Sequence, residues 1–218
     1  MKTKHESNSN NNICGICTLG QQNREAETKS REKEGEILSV VPSDICDTIE
    51  TPSLKGEQYF ITFTDETTGR VSIGLLCLKD QAIVAFQADS TRAEKTRRKE
   101  IKSLWSDSGG EYINHWQGFK EYLESAEIQN KVSTPYSPVQ NCLVELMNRK
   151  LVASARYVLE NSKLKNEFWG SAILTAGHIH NRLPSRSHGD LSSIQHSTAK
   201  SQGLGTGEYL GLRHRYLY

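Results

Sequence analysis

The sequence predicts an α/β fold, in which a mixed five-stranded sheet is flanked by helices. Residues 58–66 ("QYFITFTDE") and 71–79 ("VSIGLLCLK") are rich in residues that favour strands, and the turn "TTGR" between them is typical of a hairpin. Residues 79–98 then space apolar side chains in a helical manner and lead into a strand at 101–106. A strand, a helix and a second strand in this order indicate a crossover connection.

The remaining elements follow from similar patterns. Residues 37–45 form a candidate first strand, and a short strand is expected around 129–133. Residues 118–128 read as a helix, and the segment 133–141 ("STPYSPVQN") is predicted to be a loop, because its prolines oppose regular structure. A long helix then begins at residue 142, and its apolar face carries Leu143, Met147, Leu151, Ala155 and Val158.

Composition divides the chain of 218 residues into three regions. Residues 1–36 are polar and repetitive, which is typical of a flexible arm. Residues 37–190 have the pattern of a globular domain. Residues 191–218 lose clear periodicity, so we expect them to diverge from the domain and to pack poorly.

The overall charge excludes few classes of function, because the formal net charge is only +1. Any surface that binds DNA must therefore be local. The best candidate is the segment 92–102, where basic residues outnumber Glu94 and Glu100. Its basic residues are Arg92, Lys95, Arg97, Arg98, Lys99 and Lys102. Such side chains neutralise phosphates, but a solvated helix end has the same composition.

The sequence contains no apolar stretch long enough for a membrane span and no secretory signal, so we expect an intracellular protein. Five cysteines are scattered except for the pair Cys14 and Cys17, which argues against a disulfide framework. That pair forms a C-x-x-C motif and is a candidate zinc site. His178 and His180 are expected to serve packing or to lie on the surface, because no acid or cysteine accompanies them at metal-ligand spacing.

The stretch "LWSDSGGEYI" ends an apolar run on Asp107 and continues with Gly109 and Gly110. Asp and Gly are common after a strand because they form turns. The same residues also suit a metal ligand beside a phosphate, since glycine has no Cβ and lets a phosphate approach closely. Both interpretations are open for this stretch alone.

Two further carboxylates make the metal interpretation stronger. Asp44 ends a predicted strand, and Glu145 lies on the long helix, off its apolar stripe. Mg²⁺ prefers oxygen ligands, and two such ions about 3.5–4 Å apart activate an attacking oxygen and stabilise a leaving oxygen at phosphorus. Asp44, Asp107 and Glu145 are thus candidate ligands, although some of the 26 acidic residues fall at element ends by chance.

Five motifs occur along the chain in a distinctive order. They are "SDIC", "YFITFTDETTGR", "SDSGGEYIN", "TPYSPVQN" and "FWGSAILTAGHIHNRLPSR". Together they closely resemble the integrase core of copia-type LTR-retrotransposon Pol polyproteins, a family with an RNase H-like fold. The resemblance covers residues 37–190.

The resemblance implies a D,D-E polynucleotidyl transferase, which joins the cDNA ends of a retrotransposon to target DNA with Mg²⁺ or Mn²⁺. Position by position, the two aspartates of the family match Asp44 and Asp107, and its glutamate matches Glu145. The glycines after Asp107 then leave room for the DNA backbone. The stretch "LWSDSGGEYI" is therefore interpreted as a catalytic and metal-binding element.

The resemblance also implies partners and a location. Asn141, Asn148 and Arg149 lie close to Glu145 in sequence and are expected, by analogy, to contact DNA. The expected partners are the element ends, the target DNA and further copies of the chain, with no membrane and no small-molecule cofactor. The expected location is the nucleus.

The sequence departs from the family pattern at several positions. The segment between Asp107 and Glu145 is longer than usual, and Cys142, Leu146 and Trp105 replace residues that the family usually has. Pro42 removes a backbone donor from a strand that should be central. These departures favour a second hypothesis, an inactive integrase fragment that keeps the fold and nucleic-acid binding.

The zinc module of the family is incomplete in this chain. Cys14 and Cys17 have only His5 upstream, whereas tetrahedral zinc requires four ligands and the family has a histidine pair. A relic without zinc is therefore the alternative to a zinc site. A third hypothesis, a zinc-knuckle RNA-binding protein, depends on the C-x-x-C motif alone.

Overall fold

A computed structural model describes residues 35–46, 49–106, 117–132, 138–185 and 188–203. Within these ranges the strands are β1 (Val40–Cys46), β2 (Tyr59–Thr64), β3 (Val71–Leu76), β4 (Ser103–Ser106), β5 (Gln129–Val132), β6 (Pro184–Ser185) and β7 (Leu191–Ser192). The α-helices are α1 (Ala82–Arg97), α2 (Gln117–Ser125), α3 (Pro138–Ser162), α4 (Trp169–His180) and α5 (Ser193–Ser201). A membrane-spanning helix is not found in the described part of the chain.

The predicted mixed five-stranded sheet is confirmed. Its strand order is β3-β2-β1-β4-β5, and β6 and β7 form a separate two-stranded sheet. β1 pairs antiparallel with β2, and β2 pairs antiparallel with β3. β1, β4 and β5 pair parallel, so the connections through α1 and α2 are crossovers. This topology places β1 in the middle of the sheet.

Pro42 is accommodated in β1 by its position between two ladders. The parallel ladder with β4 ends at the pair Pro42 and Trp105. The antiparallel ladder with β2 begins one residue later, at the pair Ser43 and Phe63. The missing N–H therefore falls at the end of a ladder, where its loss costs less than it would within a continuous run.

Two hydrophobic clusters cover the two faces of the sheet. Alternation along β2 supplies both, because Ile61 and Phe63 join one cluster while Phe60 joins the other. The first cluster includes Phe86 of α1 and Phe119 of α2, whose rings meet edge to face with centroids 5.8 Å apart. The second cluster is formed with α3 and α4 and includes Leu151, Ala155, Trp169, Ala172, Ile173 and Ala176. The core is thus a sheet between two helical layers.

The long helix begins earlier than predicted. Residues 133–141 were expected to form a loop, but α3 begins at Pro138. Proline is tolerated in the first turn of a helix, because the N–H that it lacks would have no acceptor within the helix there. Residues 133–137 lie outside the described ranges.

The prediction that the chain packs poorly beyond residue 190 is wrong for residues 191–203. β7 and α5 bury Leu191 and Ala199, which are 1% and 0% exposed. The Ser192 side chain accepts a hydrogen bond from the backbone N–H of Gln195 at 3.3 Å, and the Gln195 side chain accepts one from the N–H of Ser192 at 3.0 Å. This reciprocal capping starts α5 although the segment has few apolar residues. Residues 204–218 lie outside the described part of the chain.

The edge strand β3 is held by α4. A Cβ at Gly177 would lie 2.6 Å from Cδ1 of Ile73, so glycine permits the close approach of helix and strand. Asn181, which follows α4, is buried and bonds the backbone of Val71 twice. Its Oδ1 accepts from the Val71 N–H at 2.9 Å, and its Nδ2 donates to the Val71 carbonyl at 2.7 Å. The side chain thereby satisfies the outward-facing backbone of β3 at this residue.

We expect a chain truncated after Asp190 to be less stable than a chain truncated after Gly203, by at least about 2 kcal/mol, because it loses the burial of Leu191 and of α5. Urea unfolding of both truncated chains measures the difference. Since both lack residues 204–218, the comparison isolates residues 191–203. Equal unfolding midpoints would show that this segment does not stabilise the domain.

We expect the domain to lose stability as the pH falls through the mid-range, in part because of His180. Burial lowers the pKa of His180 below its ordinary value of 6.5, and Lys150 lowers it further, against the opposing contact with the Gly69 carbonyl. A lowered folded-state pKa means that the unfolded chain binds the proton more readily. This contribution is therefore present above pH 6.5 and is lost as the pH falls from there towards the folded-state pKa.

Melting temperatures measured between pH 8 and pH 5, about the range in which histidines titrate, test this prediction. The variant His180→Gln should flatten the pH dependence relative to the wild type. The exposed His178 on the same helix offers the matched control, His178→Gln. If His180→Gln and His178→Gln change the slope equally, burial of His180 is not the cause.

Candidate functional site

Asp44 lies near the C-terminal end of β1, in the middle of the sheet. Its Cα pairs with that of Thr62 across the antiparallel ladder, so the two side chains leave the sheet on the same face. This is the face of Phe60 and of the cluster formed with α3 and α4. Asp44 itself is half-buried, which leaves part of its side chain accessible to solvent.

Asn148 connects α3 to Asp44. Its Nδ2 donates a hydrogen bond of 2.7 Å to Oδ2 of Asp44. Its Oδ1 accepts a hydrogen bond of 2.9 Å from Oγ1 of Thr62. Asn148 is 6% exposed and Thr62 is 0% exposed, so these bonds are shielded from competing water. The carboxylate of Asp44 is therefore held in a fixed orientation.

Glu145 lies three residues before Asn148 on α3 and is exposed. Residues three apart lie on neighbouring positions of one helix face. The face that brings Asn148 to Asp44 therefore carries Glu145 one turn closer to the N-terminus of the helix. Val144 and Leu151, which are buried, anchor the same helix on the sheet. The helix that carries Glu145 is thus bonded to Asp44 through Asn148.

Asp107, the third predicted carboxylate, lies outside the described residues. It directly follows Ser106, the buried last residue of β4. β1 and β4 are adjacent and parallel, with Pro42 paired to Trp105. Asp44 and Asp107 are each the second residue after that pair in sequence. Among the described residues no group of three His, Cys, Asp or Glu side chains is arranged to hold a metal ion, so the metal-binding roles stay predictions.

The residues predicted to contact DNA near Glu145 differ in their surroundings. Arg149 is exposed, whereas Asn148 is buried and bonded to Asp44. The side chain of Asn141 lies outside the described part of the structure. Asn148 therefore acts on Asp44 in this structure, and of the two residues whose side chains are described, Arg149 is the exposed one. Contact with DNA stays a prediction for these residues.

The basic segment 92–102 divides into exposed and buried residues. Arg98 and Lys102 are exposed. Lys102 pairs with Glu36, and Lys99 lies 3.5 Å from the same carboxylate. The hydrogen bond and charge of Lys102, followed by those of Lys99, lower the pKa of Glu36. Glu36 thus neutralises part of the positive charge of this surface. Among the described residues, its two ion pairs are with Lys99 and Lys102 and do not include Arg98.

Arg97 does not belong to that surface, because its side chain is 9% exposed. Burial lowers the pKa of Arg97, nearby Arg70 lowers it further, and the carboxylates of Asp65 and Asp89 oppose the shift. Burial raises the pKa of Asp89, against a hydrogen bond from Ser72 and the charges of the arginines. Arg97 is therefore part of an internal charge cluster beneath α1, and its predicted contact with DNA is not favoured by this burial.

Other predicted features lie elsewhere. Cys14 and Cys17 lie outside the described residues, so the zinc prediction is not tested. Cys77 is a free thiol. His178 is exposed, and Nε2 of His180 lies 3.4 Å from the Gly69 carbonyl. The two histidines thus occupy the surface and packing positions that the sequence predicts.

Thr62 is the functional candidate that sequence reasoning missed. The strand β2 has the sequence "YFITFT", and its four central residues are buried. A threonine in such a run is a polar group in the core, which requires a hydrogen-bond partner. That requirement was a visible signal, but the partner, Asn148, lies 86 residues away in sequence.

Comparison with known proteins relates the chain to transposon polyproteins. It is 37% identical over 172 residues to the retrovirus-related Pol polyprotein from transposon TNT 1-94 of Nicotiana tabacum, which covers 79% of this chain and 13% of that polyprotein. It is 25% identical over 173 residues to the retrovirus-related Pol polyprotein from transposon RE1 of Arabidopsis thaliana, covering 78% of this chain and 11% of the relative.

A yeast relative extends this result. The truncated transposon Ty1-A Gag-Pol polyprotein of Saccharomyces cerevisiae is 25% identical over 198 residues, covering 85% of this chain and 16% of the polyprotein. The chain thus spans a small part, from 11% to 16%, of these three relatives. No family model matches the chain.

A solved structure has the same fold. It is a chain in the simian T-cell lymphotropic virus intasome in complex with PP2A regulatory subunit B56 gamma, with a TM-score of 0.60 and 19% identity, covering 74% of this chain and 55% of that chain. At this identity the likeness concerns the fold. The sequence relatives and this fold lead to one conclusion. The chain belongs to the family of the retrovirus-related Pol polyproteins of transposons, and its domain has an RNase H-like fold.

Proposed function

We propose that this chain is the catalytic core of a retrotransposon integrase, which joins the cDNA ends of the element to target DNA. The observation that supports the proposal is the fixed carboxylate of Asp44 on the central strand, bonded at 2.7 Å to the helix that carries Glu145. Asp107 follows the adjacent parallel strand directly. The proposed reaction needs oxygen ligands from several elements at one end of a sheet.

The donor set suits a divalent cation of the hard type. Asp44, Asp107 and Glu145 would hold Mg²⁺ or Mn²⁺, because these ions prefer carboxylate oxygens over nitrogen or sulfur. When bound, such ions activate an attacking oxygen and stabilise a leaving oxygen at phosphorus. Asn148 places an amide donor beside the carboxylate of Asp44. Glu145 is exposed, so a phosphodiester would reach it from solvent.

The residues of the chain have separate tasks in this proposal. Asn148 orients Asp44 through one carboxylate oxygen, Oδ2. Arg149, which is exposed next to it, would bind a phosphate of the DNA backbone. Arg98 and Lys102 would add longer-range attraction for DNA from the C-terminal end of α1 and the residues after it.

We also propose partners and a location for this chain. The similarity in fold to a chain of an intasome supports assembly of several copies on DNA. The family resemblance supports a nuclear location. A native zinc site at Cys14 and Cys17 is not included, because that motif supplies two ligands and zinc requires four.

A second candidate is an inactive fragment that keeps the fold and nucleic-acid binding. Leu146 favours it, because an apolar side chain, 39% exposed, follows Glu145 where the family has a basic residue. The two candidates make opposite predictions for strand transfer, but both predict DNA binding. Activity measurements therefore decide between them.

We expect Mg²⁺ or Mn²⁺ to raise the melting temperature of the chain, because carboxylates that repel one another are neutralised by the cation. At a metal concentration about 100 times the dissociation constant, the stabilisation would be about 2.7 kcal/mol. Asp44→Asn, Asp107→Asn and Glu145→Gln should each abolish most of this rise. The same variants should lower strand transfer of a DNA oligonucleotide by about 100-fold or more.

The matched control is Glu160→Gln, which removes an exposed carboxylate from the same helix, four turns from Glu145. It should keep both the metal-dependent rise and the activity of the wild type. Metal stabilisation without strand transfer, tested with varied DNA ends, would favour the inactive fragment. A wild-type melting temperature that does not respond to metal would contradict the metal site itself.

We also expect the double variant Arg98→Ala with Lys102→Ala to weaken DNA binding and to reduce its dependence on salt, since each phosphate contact contributes about 0.9 to the slope of log K against log salt concentration. Titration of a labelled duplex at several salt concentrations measures this slope. Arg97→Ala should instead lower the stability by about 2–4 kcal/mol, because Arg97 is buried among charges. An unchanged salt slope in the double variant would exclude this surface.

A further inference from the structure

Thr62 is an unusual residue for its position in the core. Its neighbours Ile61 and Phe63 point into one hydrophobic cluster, and Phe60 belongs to the other. Thr62 itself is 0% exposed and lies on the face of Phe60. A valine would fill the same volume without a polar atom, so the hydroxyl must find a partner inside the protein.

The partner of the hydroxyl is Asn148. Oγ1 of Thr62 lies 2.9 Å from Oδ1 of Asn148 and 3.5 Å from the backbone carbonyl of Asp44. The first distance lies within the range of a good hydrogen bond, and the second lies at its outer limit. The hydroxyl therefore donates mainly to the side chain of Asn148.

The carboxylate of Asp44, which only accepts, selects the orientation of the amide, and the donation from Thr62 to the other end of the amide holds it there. With Oδ1 facing Thr62, the Nδ2 group of Asn148 faces Oδ2 of Asp44 at 2.7 Å. If the amide were reversed, its oxygen would face a carboxylate oxygen, and two acceptors would repel each other at that distance. Thr62 thus stabilises the orientation in which Asn148 donates to Asp44.

The same two bonds join three elements of the fold. Thr62 belongs to β2, Asn148 to α3 and Asp44 to β1. The apolar contacts of α3 with the sheet resist separation of the two, but a directed hydrogen bond also resists rotation of the helix about its axis. Glu145 lies one turn from Asn148 and moves with that rotation.

We infer that Thr62 is a positioning residue of the site, which orients Asn148 and through it both Asp44 and the helix that carries Glu145. The importance of this role for catalysis depends on the proposed function, whereas the orientation itself does not. The hydroxyl of Thr62 does not reach the carboxylate of Asp44, since the side chain of Asn148 lies between them. It acts at a distance of two hydrogen bonds.

The first experiment measures the amide of Asn148 in the full chain, by NMR of its side-chain protons. In the wild type these protons should exchange with water more slowly than those of the exposed Asn130. Thr62→Val removes the hydroxyl at similar volume and should speed their exchange by about 10-fold or more. Thr62→Ser keeps the hydroxyl and should restore slow exchange.

Thr64→Val is the matched control. Thr64 lies on the same face of the same strand, and its Oγ1 is buried without a hydrogen-bond partner among the described residues. This variant should leave the exchange of the Asn148 amide as it is in the wild type. An equal effect of Thr64→Val and Thr62→Val would overturn the inference, because loss of any hydroxyl from β2 would then suffice.

The second experiment measures metal. Thr62→Val should raise the Mg²⁺ concentration at half-maximal thermal stabilisation by about 10-fold, as is common when a residue behind a ligand is lost. In strand transfer it should raise the Mg²⁺ requirement more than it lowers the maximal rate, and Thr62→Ser should restore both. A loss of maximal rate at an unchanged Mg²⁺ requirement would contradict a positioning role.

The two experiments separate the inference from the proposed function. If the wild type transfers no strand, the proposed function fails, but amide exchange still decides the role of Thr62. If Thr62→Val does not fold, the wild type and Thr62→Ser decide it. Asn148 protons that exchange in the wild type as fast as those of Asn130 overturn the inference, and slow exchange in both chains supports it.

Discussion

The pairing of β1 on both sides is the constraint on which the rest of the structure depends. β1 pairs antiparallel with β2 and parallel with β4, so the sheet changes from antiparallel to parallel pairing at β1. The C-terminal ends of the parallel strands meet at one edge, which brings Asp44 towards the end of β4. α3, which covers one face of the sheet together with α4, then adds Asn148 and Glu145. Each part of the site is thus supplied by a different long-range contact.

Much of the fold could be predicted, because its signals are local. The strands predicted at 58–66 and 71–79 are observed at Tyr59–Thr64 and Val71–Leu76, and the crossover helix lies where its apolar spacing indicates. The predictions failed where a local rule has an exception. Proline opposes helices in general but not in their first turn, where Pro138 lies. Residues 193–201 form a helix with few apolar residues, and the capping pair of Ser192 and Gln195 was the stronger signal there.

The candidate site could be predicted only in part, because its geometry depends on residues far apart in sequence. The resemblance assigns roles to Asp44 and Glu145, and the structure brings their elements together. It assigns Asn148 to DNA, whereas the structure shows a buried side chain bonded to Asp44. Arg97 belongs to a basic run in sequence but turns inwards among carboxylates. Burial of single side chains depends on tertiary packing, which composition and spacing do not determine.

The bonds from Asn181 to Val71 have a consequence for the behaviour of the protein in solution. An edge strand with open backbone groups recruits strands from other molecules and so promotes aggregation. At Val71 the outward N–H and carbonyl of β3 are already occupied by an amide side chain that copies the bonding of a neighbouring strand. At the opposite edge, β5 exposes Gln129, Asn130 and Lys131, which disfavour such recruitment. Copies of this chain that meet in solution are therefore less prone to join through β3 at this residue, which gives a concentrated solution some protection against uncontrolled growth of the sheet.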